Sequence, residues 1–526
     1  MRIPSFLTAI FFAAIALMAA QAAAQLNDQT QTPNTEGVGI AKSLTEQVGA
    51  GQGDVMTPDS SIFIIKRDPF RSIRRGRQLF QRKFTVLQGL GPRTGDGIGN
   101  IEVDGTLGAG LADSCAACHG RPRGAAGFGG DVFTRPDSRD SPHLFGLGLQ
   151  EMLADEITSD LRAIQADAVS QTQLNGVPVK RFLESKGIYY GKITGHPDGS
   201  VDTSGVEGVN PDLRVRPFFA EGGTISIREF VVGALNAEMG LESFDPLLAA
   251  ASAGGTVTTP SGMLLDGSID QIEAPPVSGP GDDGDGDGVV DEIDPALIDH
   301  FEFYLLNYFK PALHRQDFYT HKGRLVMHHL GCTSCHVPDL VIENDRRVAD
   351  VETNFDPSNG IFNRLFAVAA GRFDATDDGS GFPELKSPSG DSFVVENIFT
   401  DFKRHDLGPR FWERNFDGTL QKEFMTEPLW GVGSTAPYGH DGRSINLEEV
   451  ILRHGGEAQA SRDAFASSPV FLKLVLLRFL GSLVLFPPDD TASNLNPGDP
   501  SDPNFPQRGH GSIALGALFN DPTDVE

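Results

Sequence analysis

Apolar residues in this 526-residue chain recur in distinct spacings, and each spacing predicts a different element. Near the start an unbroken run, Phe6-Leu7-Thr8-Ala9-Ile10-Phe11-Phe12-Ala13-Ala14-Ile15-Ala16-Leu17-Met18, stands between Arg2 and the small residues Ala22-Ala23-Ala24. A basic start, a short apolar stretch and a small-residue cleavage site predict an export leader over residues 1–24, too short for a stable transmembrane span. No later run is apolar enough to cross a bilayer, so no membrane span is expected. Helical spacing appears at Leu447, Val450, Ile451 and His454, opened by Asn446-Leu447-Glu448-Glu449 as a capping box and closed by Gly455-Gly456. That periodicity sets His454 on one buried face with three aliphatic side chains. A second helix is predicted over Ala296 to Phe309. Ser185 to Ile193 and Leu213 to Phe218 read instead as short strands between Gly, Pro and Asp turns.

The chemistry sits in the four cysteines. They occur as Cys115-Ala-Ala-Cys118-His119 and Cys332-Thr-Ser-Cys335-His336. Cys-x-x-Cys-His is the attachment signature of a c-type haem, in which both thiols bond the porphyrin vinyl groups and the imidazole takes the proximal iron position. Redox disulfides or zinc would also use Cys-x-x-Cys, but neither accounts for a histidine behind both pairs. Two covalent haem c groups are therefore expected, in an exported protein of the periplasm or beyond.

Around these motifs the chain repeats itself. Arg75-Gly76-Arg77-Gln78-Leu79-Phe80, the first motif, then Pro142-His143-Leu144-Phe145-Gly146-Leu147-Gly148 is matched by Lys322-Gly323-Arg324-Leu325-Val326, the second motif, then Pro428-Leu429-Trp430-Gly431-Val432-Gly433. Such a duplication predicts two like units rather than one large fold. The expected fold class is mainly α: two cytochrome-c-type helical domains, loop-rich, with a small β insertion. The expected boundaries are a leader at 1–24, an N-terminal extension at 25–60 and a first domain at 61–270 whose β insertion at about 163–260 covers the first haem. A linker at 271–295, a second domain at 296–486 and an irregular tail at 487–526 complete the chain.

Composition narrows the partners. Seventy-one acidic against 43 basic residues leave a formal charge of −28, which opposes binding to nucleic acid or other phosphates. With Gly 61, Pro 34 and 39% hydrophobic residues, the haems are expected to supply part of the apolar core.

At the expected junction, Asp283-x-Asp285-x-Asp287-Gly288-Val289-Val290-Asp291-x-x-Asp294 fits a twelve-residue calcium loop. The predicted ligands to one Ca2+ are Asp283, Asp285, Asp287, the Val289 carbonyl, Asp291 and Asp294. A solvated Asp/Gly linker is the alternative.

For the second haem, His454 is the expected distal ligand; His328 and His329 lie on the proximal side that His336 already serves. For the first haem the sequence leaves alternatives open. Met152 is either a distal ligand, making an electron-transfer haem, or a core filler. If the iron is open, Glu151 or His143 is placed to act as acid–base group on peroxide or dioxygen. Trp430 either lies on an inter-haem electron path or packs on a porphyrin.

Ala436-Pro437-Tyr438-Gly439-His440-Asp441-Gly442-Arg443 resembles the C-terminal-domain motif of bacterial di-haem cytochrome c peroxidases. Phe402-x-x-His405-Asp406-Leu407-Gly408-Pro409, Pro428-Leu429-Trp430-Gly431 and His454-Gly455-Gly456-Glu457-Ala458 are more similar to the di-haem oxidoreductase branch of that superfamily. The peroxidases place methionine at the position matching His454, whereas histidine here implies a bis-imidazole haem. The first half lacks their Trp-Asp-Gly-Arg stretch, so their catalytic glutamate is not carried over. The resemblance implies a peroxidase-like di-haem oxidoreductase. A small cytochrome or cupredoxin is its expected redox partner, with electrons passing from the second haem to the first. A di-haem electron carrier, an oxygenase acting on an organic substrate and an enzyme modifying a partner protein are the other functions compatible with the residues.

Overall fold

The computed structural model describes residues 42–91, 114–119, 139–308, 312–313, 316–355, 365–415 and 417–484. The predicted leader, residues 25–41 of the N-terminal extension and the predicted tail lie outside the described residues. In chain order the helices are α1 (Leu44–Val48), α2 (Ser61–Arg67), α3 (Pro69–Gln81), α4 (Cys115–His119), α5 (Leu147–Asn175), α6 (Ile227–Met239), α7 (Pro246–Ser252), α8 (Pro295–Asn307), α9 (Phe318–His329), α10 (Leu447–Arg453), α11 (Gln459–Ser467) and α12 (Val470–Leu480).

The expectation of a mainly α protein is overturned. The structure is 38% helical with 17% strand, and the strands form many small sheets. The difference arises between the second haem motif and α10, where helices were expected. There the chain folds back in antiparallel pairs: Leu340–Ile342 with Phe393–Val395, Ala349–Phe355 with Leu365–Gly371, Phe373–Thr376 with Leu385–Pro388, and Arg404–Asp406 with Glu423–Met425. The physical reason is visible at Leu340-Val341-Ile342, where Leu340 and Ile342 are buried and Val341 is exposed. Side chains alternate across a strand, and apolar residues on both faces hid that period in the sequence.

The predicted insertion begins as helix. α5 runs from a left-handed Gly146 to a left-handed Gly176, the conformation glycine adopts without strain. A three-stranded antiparallel sheet follows: β1 (Val179–Ser185), β2 (Ile188–Gly195) and β3 (Val201–Val206). The predicted strand at 213–218 contributes only a bridge, Phe218 to Thr224. The sheet shares an apolar cluster with α5 and with Leu340, Ile342, Val395, Phe402 and Trp430 of the second half.

The repeat read from the sequence has a packing meaning. A Cβ on Gly76 of α3 would come within 2.2 Å of the His300 carbonyl of α8, and one on Gly323 of α9 within 2.0 Å of the Val475 carbonyl of α12. In each half the helix ahead of the haem motif thus lies in backbone contact with a later helix. Asp294 caps α8 through the Ala296 N–H, Pro295 occupies its first turn, and twelve of its residues are buried against α3 and α6. The sequence assigned α8 to the second unit; the first core holds it.

That first core also contains an ion cluster. Arg228 of α6 bonds Asp245, Asp299 and Glu302, all four side chains fully buried. A third core gathers α9, α12, Phe399 and Phe465.

Candidate functional site

Each haem motif is seated on a different core. Cys115 opens α4 and, like Leu90, Phe230 and Tyr308, packs half buried at the edge of the first cluster. Cys332 opens a 3-10 turn behind Gly331 and, like Leu429, Val432, Leu447, Ile451 and Leu452, packs half buried at the edge of the third. A thiol pair followed by a histidine at the half-covered edge of an apolar cluster suits a flat apolar group such as a porphyrin, so the residues present fit haem c.

The histidines are held alike. His119 Nδ1 lies 2.7 Å from the Pro142 carbonyl oxygen and His336 Nδ1 lies 3.1 Å from the Phe399 carbonyl oxygen. A carbonyl can only accept, so Nδ1 carries the proton and the lone pair sits on Nε2, the atom able to bind iron. Phe230 of α6 meets the His119 ring edge-on at 6.5 Å.

His454 repeats the arrangement, its Nδ1 lying 2.7 Å from the Val450 carbonyl oxygen. It is not inside the helix, as its spacing predicted, but caps it, since α10 ends at Arg453. The predicted capping box is also incomplete. Asn446 accepts from Glu449 N–H, but the Glu449 carboxylate accepts from Ile445 rather than from Asn446. Burial pushes the His454 pKa down to about 4, and a charge on His336 would push the same way. Burial also lowers His336. Both are neutral near pH 7, as iron ligation requires.

The first half's candidates are placed differently. Met152 is buried in the second cluster, and its Sδ accepts the Arg346 backbone N–H at 3.1 Å. Glu151 is buried on α5, where its oxygens accept from Ile227 N at 2.9 Å and Arg346 Nη2 at 3.0 Å. Burial pushes its carboxyl up to about 8; Arg346 pulls it down while Asp155 and Glu302 push it up. His143 spends both ring nitrogens on the backbone, Nδ1 accepting from Phe145 N at 3.2 Å and Nε2 lying 2.6 Å from the Trp430 carbonyl oxygen. Trp430 itself is buried in the second cluster.

Two groups escaped the sequence reading. His405 was noticed only within a family motif. Its Nε2 lies 2.9 Å from Asp401 Oδ2 and its Nδ1 2.8 Å from Glu457 Oε2. Burial opposes charge on this ring, but the carboxylate of Asp401 overrides it and raises the pKa. Asp401 is two residues from the carbonyl that holds His336, and Glu457 three from His454, so His405 clamps the two ligand-bearing loops together.

The other group is Glu427. Its loop donates the Leu429 N–H to the Ile398 carbonyl at 3.1 Å and accepts from His143 at the Trp430 carbonyl, which joins it to the segments supporting His336 and His119. The Glu427 side chain is accessible yet deeply recessed; burial pushes its carboxyl up to about 7, against the pull of Arg139 and with the push of Glu221. Arg139 is buried, bonded to Glu221 at 2.7 Å and to Glu413 at 2.9 Å. Only the fold joins 139, 221, 413 and 427, so no sequence pattern could have announced the group.

The calcium-loop residues divide. Oxygens of Asp283, Asp285 and Asp287 converge within 4.8 Å. Asp291 instead accepts the Gly281 N–H at 2.9 Å, and Asp294 is occupied in capping α8.

No curated protein and no solved structure matches the chain. The profile of one family, described as "Di-haem oxidoreductase, putative peroxidase", matches residues 374–483, a stretch that holds His405, Glu427 and His454. Haem is the cofactor that family implies. Residues 374–483 are thus similar to the di-haem oxidoreductase family, the one the motifs of the chain resemble.

Proposed function

We propose that this protein is an exported, periplasmic di-haem c-type oxidoreductase of the peroxidase kind, reducing peroxide or activating dioxygen with electrons from a small cytochrome or cupredoxin. The observation that carries the reading is the shared tautomer of His119, His336 and His454, each tied through Nδ1 to a backbone carbonyl. Among the described residues, three such imidazoles would give each motif one iron ligand and the second motif a further one. When bound, the haems supply one-electron chemistry and an iron open to a small oxidant.

The chain's own residues do the rest. Cys115 and Cys118, and Cys332 and Cys335, fix the groups in place. His405 holds the His336 and His454 loops in register through Asp401 and Glu457. Glu427, accessible and balanced near neutral pH, carries the proton at its carboxyl oxygen, with Arg139 restraining its pKa. Glu151 is bound to Arg346 and His143 to the backbone, which suits both to support rather than to proton transfer. The acidic loop at 283–287 binds Ca2+. Among the described residues no helix is long and apolar enough to cross a membrane.

Electron paramagnetic resonance of the resting, matured protein tests the reading. One high-spin ferric signal beside one low-spin bis-imidazole signal, with peroxide-dependent turnover, is expected. Two low-spin signals that cyanide leaves untouched in either redox state would select a pure electron carrier. Turnover of an organic substrate with dioxygen and none with peroxide would select the oxygenase.

A further inference from the structure

Glu242 follows the left-handed Gly240 that ends α6, and Glu292 precedes the cap of α8. Both are buried, each at 8% exposure. One carboxylate oxygen from each of Glu242, Asp285 and Glu292 lies within 4.8 Å of the others, and Asp285 also belongs to the cluster with Asp283 and Asp287. The two sets share a member and so form one continuous group of carboxylates. Neither glutamate belongs to the ligand pattern of a calcium loop: Glu242 lies outside it, and Glu292 stands where no ligand is expected.

A second observation points to a missing ligand. Glu292 Oε2 accepts the Glu242 backbone N–H at 2.6 Å, but its buried Oε1 has no hydrogen-bond partner among the described residues. A buried carboxylate oxygen left without a donor costs free energy unless a cation takes it. Glu242 and Asp285 each bring a carboxylate oxygen to within 4.8 Å of one on Glu292, and like charges so close repel. A divalent cation would reverse that repulsion.

Resting on the calcium reading of the loop, we propose that the site is a clasp in which Glu242 and Glu292 complete the coordination begun by Asp283, Asp285 and Asp287, in place of Asp291 and Asp294. The all-oxygen, carboxylate-rich set suits Ca2+, which takes six to eight oxygens in flexible geometry. Its position gives it a task. The ion fastens the end of α6 to the start of α8, two helices of the first core. Phe230 of α6 faces the His119 ring, so the clasp steadies the wall beside the first haem motif.

Calcium binding to the chelator-treated, haem-loaded protein, followed by calorimetry, tests this, with thermal unfolding and the haem absorption spectrum as further readouts. Wild type is expected to bind one Ca2+ and to unfold at a higher temperature when it does. E292Q and E242Q are each expected to weaken binding on the order of tenfold or more, while D291N and D294N retain affinity. Wild type failing to bind Ca2+ removes the loop reading itself. Wild type binding with E292Q and E242Q unchanged, or D291N and D294N losing as much, overturns the clasp and leaves an ordinary loop site. An unchanged haem spectrum in E292Q before calcium is added shows that the variant has folded.

Discussion

His143 Nε2 lies 2.6 Å from the carbonyl oxygen of Trp430, so one imidazole joins the loop after the first haem motif to its counterpart after the second. Its Nδ1 accepts from Phe145 N–H, which puts the ring proton on Nε2 and makes the ring a neutral strut. H143A leaves the Trp430 carbonyl without its donor, and a lost buried hydrogen bond of this kind costs about 1–3 kcal/mol. Denaturant unfolding should show that loss while the haem spectrum is retained; loss of turnover at unchanged stability would instead make His143 a proton carrier.

His454 is expected to be the distal ligand of the second haem. H454A should convert that haem's low-spin signal to high spin and leave the first haem's signal in place. H454M should raise the potential of the second haem, because thioether ligation favours the reduced iron. An unchanged spectrum in both variants would remove His454 from the iron.

Glu427 should act in its protonated form. With a carboxyl near pH 7, turnover is expected to fall as pH rises through that value, since the acid is then lost. E427Q should lower kcat by about a hundredfold or more, the usual contribution of a positioned acid–base group. The spectra of both haems should remain those of the parent. A pH profile unaltered in E427Q would assign the proton elsewhere.

Glu151 links stability to pH. Burial raises its carboxyl from 4.5 to about 8. Between those values the folded chain keeps a proton that the unfolded chain has released, so stability from this group is full below pH 4.5 and is lost as pH climbs through about 8. E151Q should flatten that slope in unfolding measured from pH 5 to 9. A slope identical to the parent's would mean that Arg346 keeps Glu151 ionised throughout.

Much of the chemistry was legible in the chain because it is local. Cys-x-x-Cys-His places two thiols and an imidazole within one turn of backbone, so each motif needs no tertiary contact to be read. Asn446 to Gly456 announced a helix by its spacing, but the structure ends that helix at Arg453 and makes His454 its cap. The twin glycines Gly76 and Gly323 marked the repeat before their close packing was seen.

The misread helical domain has a local cause. The pair Leu340–Ile342 with Phe393–Val395 carries apolar residues on both faces, so its period was hidden until the second cluster covered one side of Leu340, Ile342 and Val395. Asp294 caps α8 through the Ala296 N–H, a role that the spacing of a calcium loop does not reveal because it depends on whether a helix starts there. By itself, then, the sequence determined where the two Cys-x-x-Cys-His motifs stand and that they are duplicated, since those depend on neighbours along the chain. Only the tertiary structure decided which carboxyls face which cations, bringing Arg139, Glu221, Glu413 and Glu427 together in one place and Glu242 to Glu292 in another. Burial and pairing set the charge of each of these groups, and both depend on residues far apart in the chain.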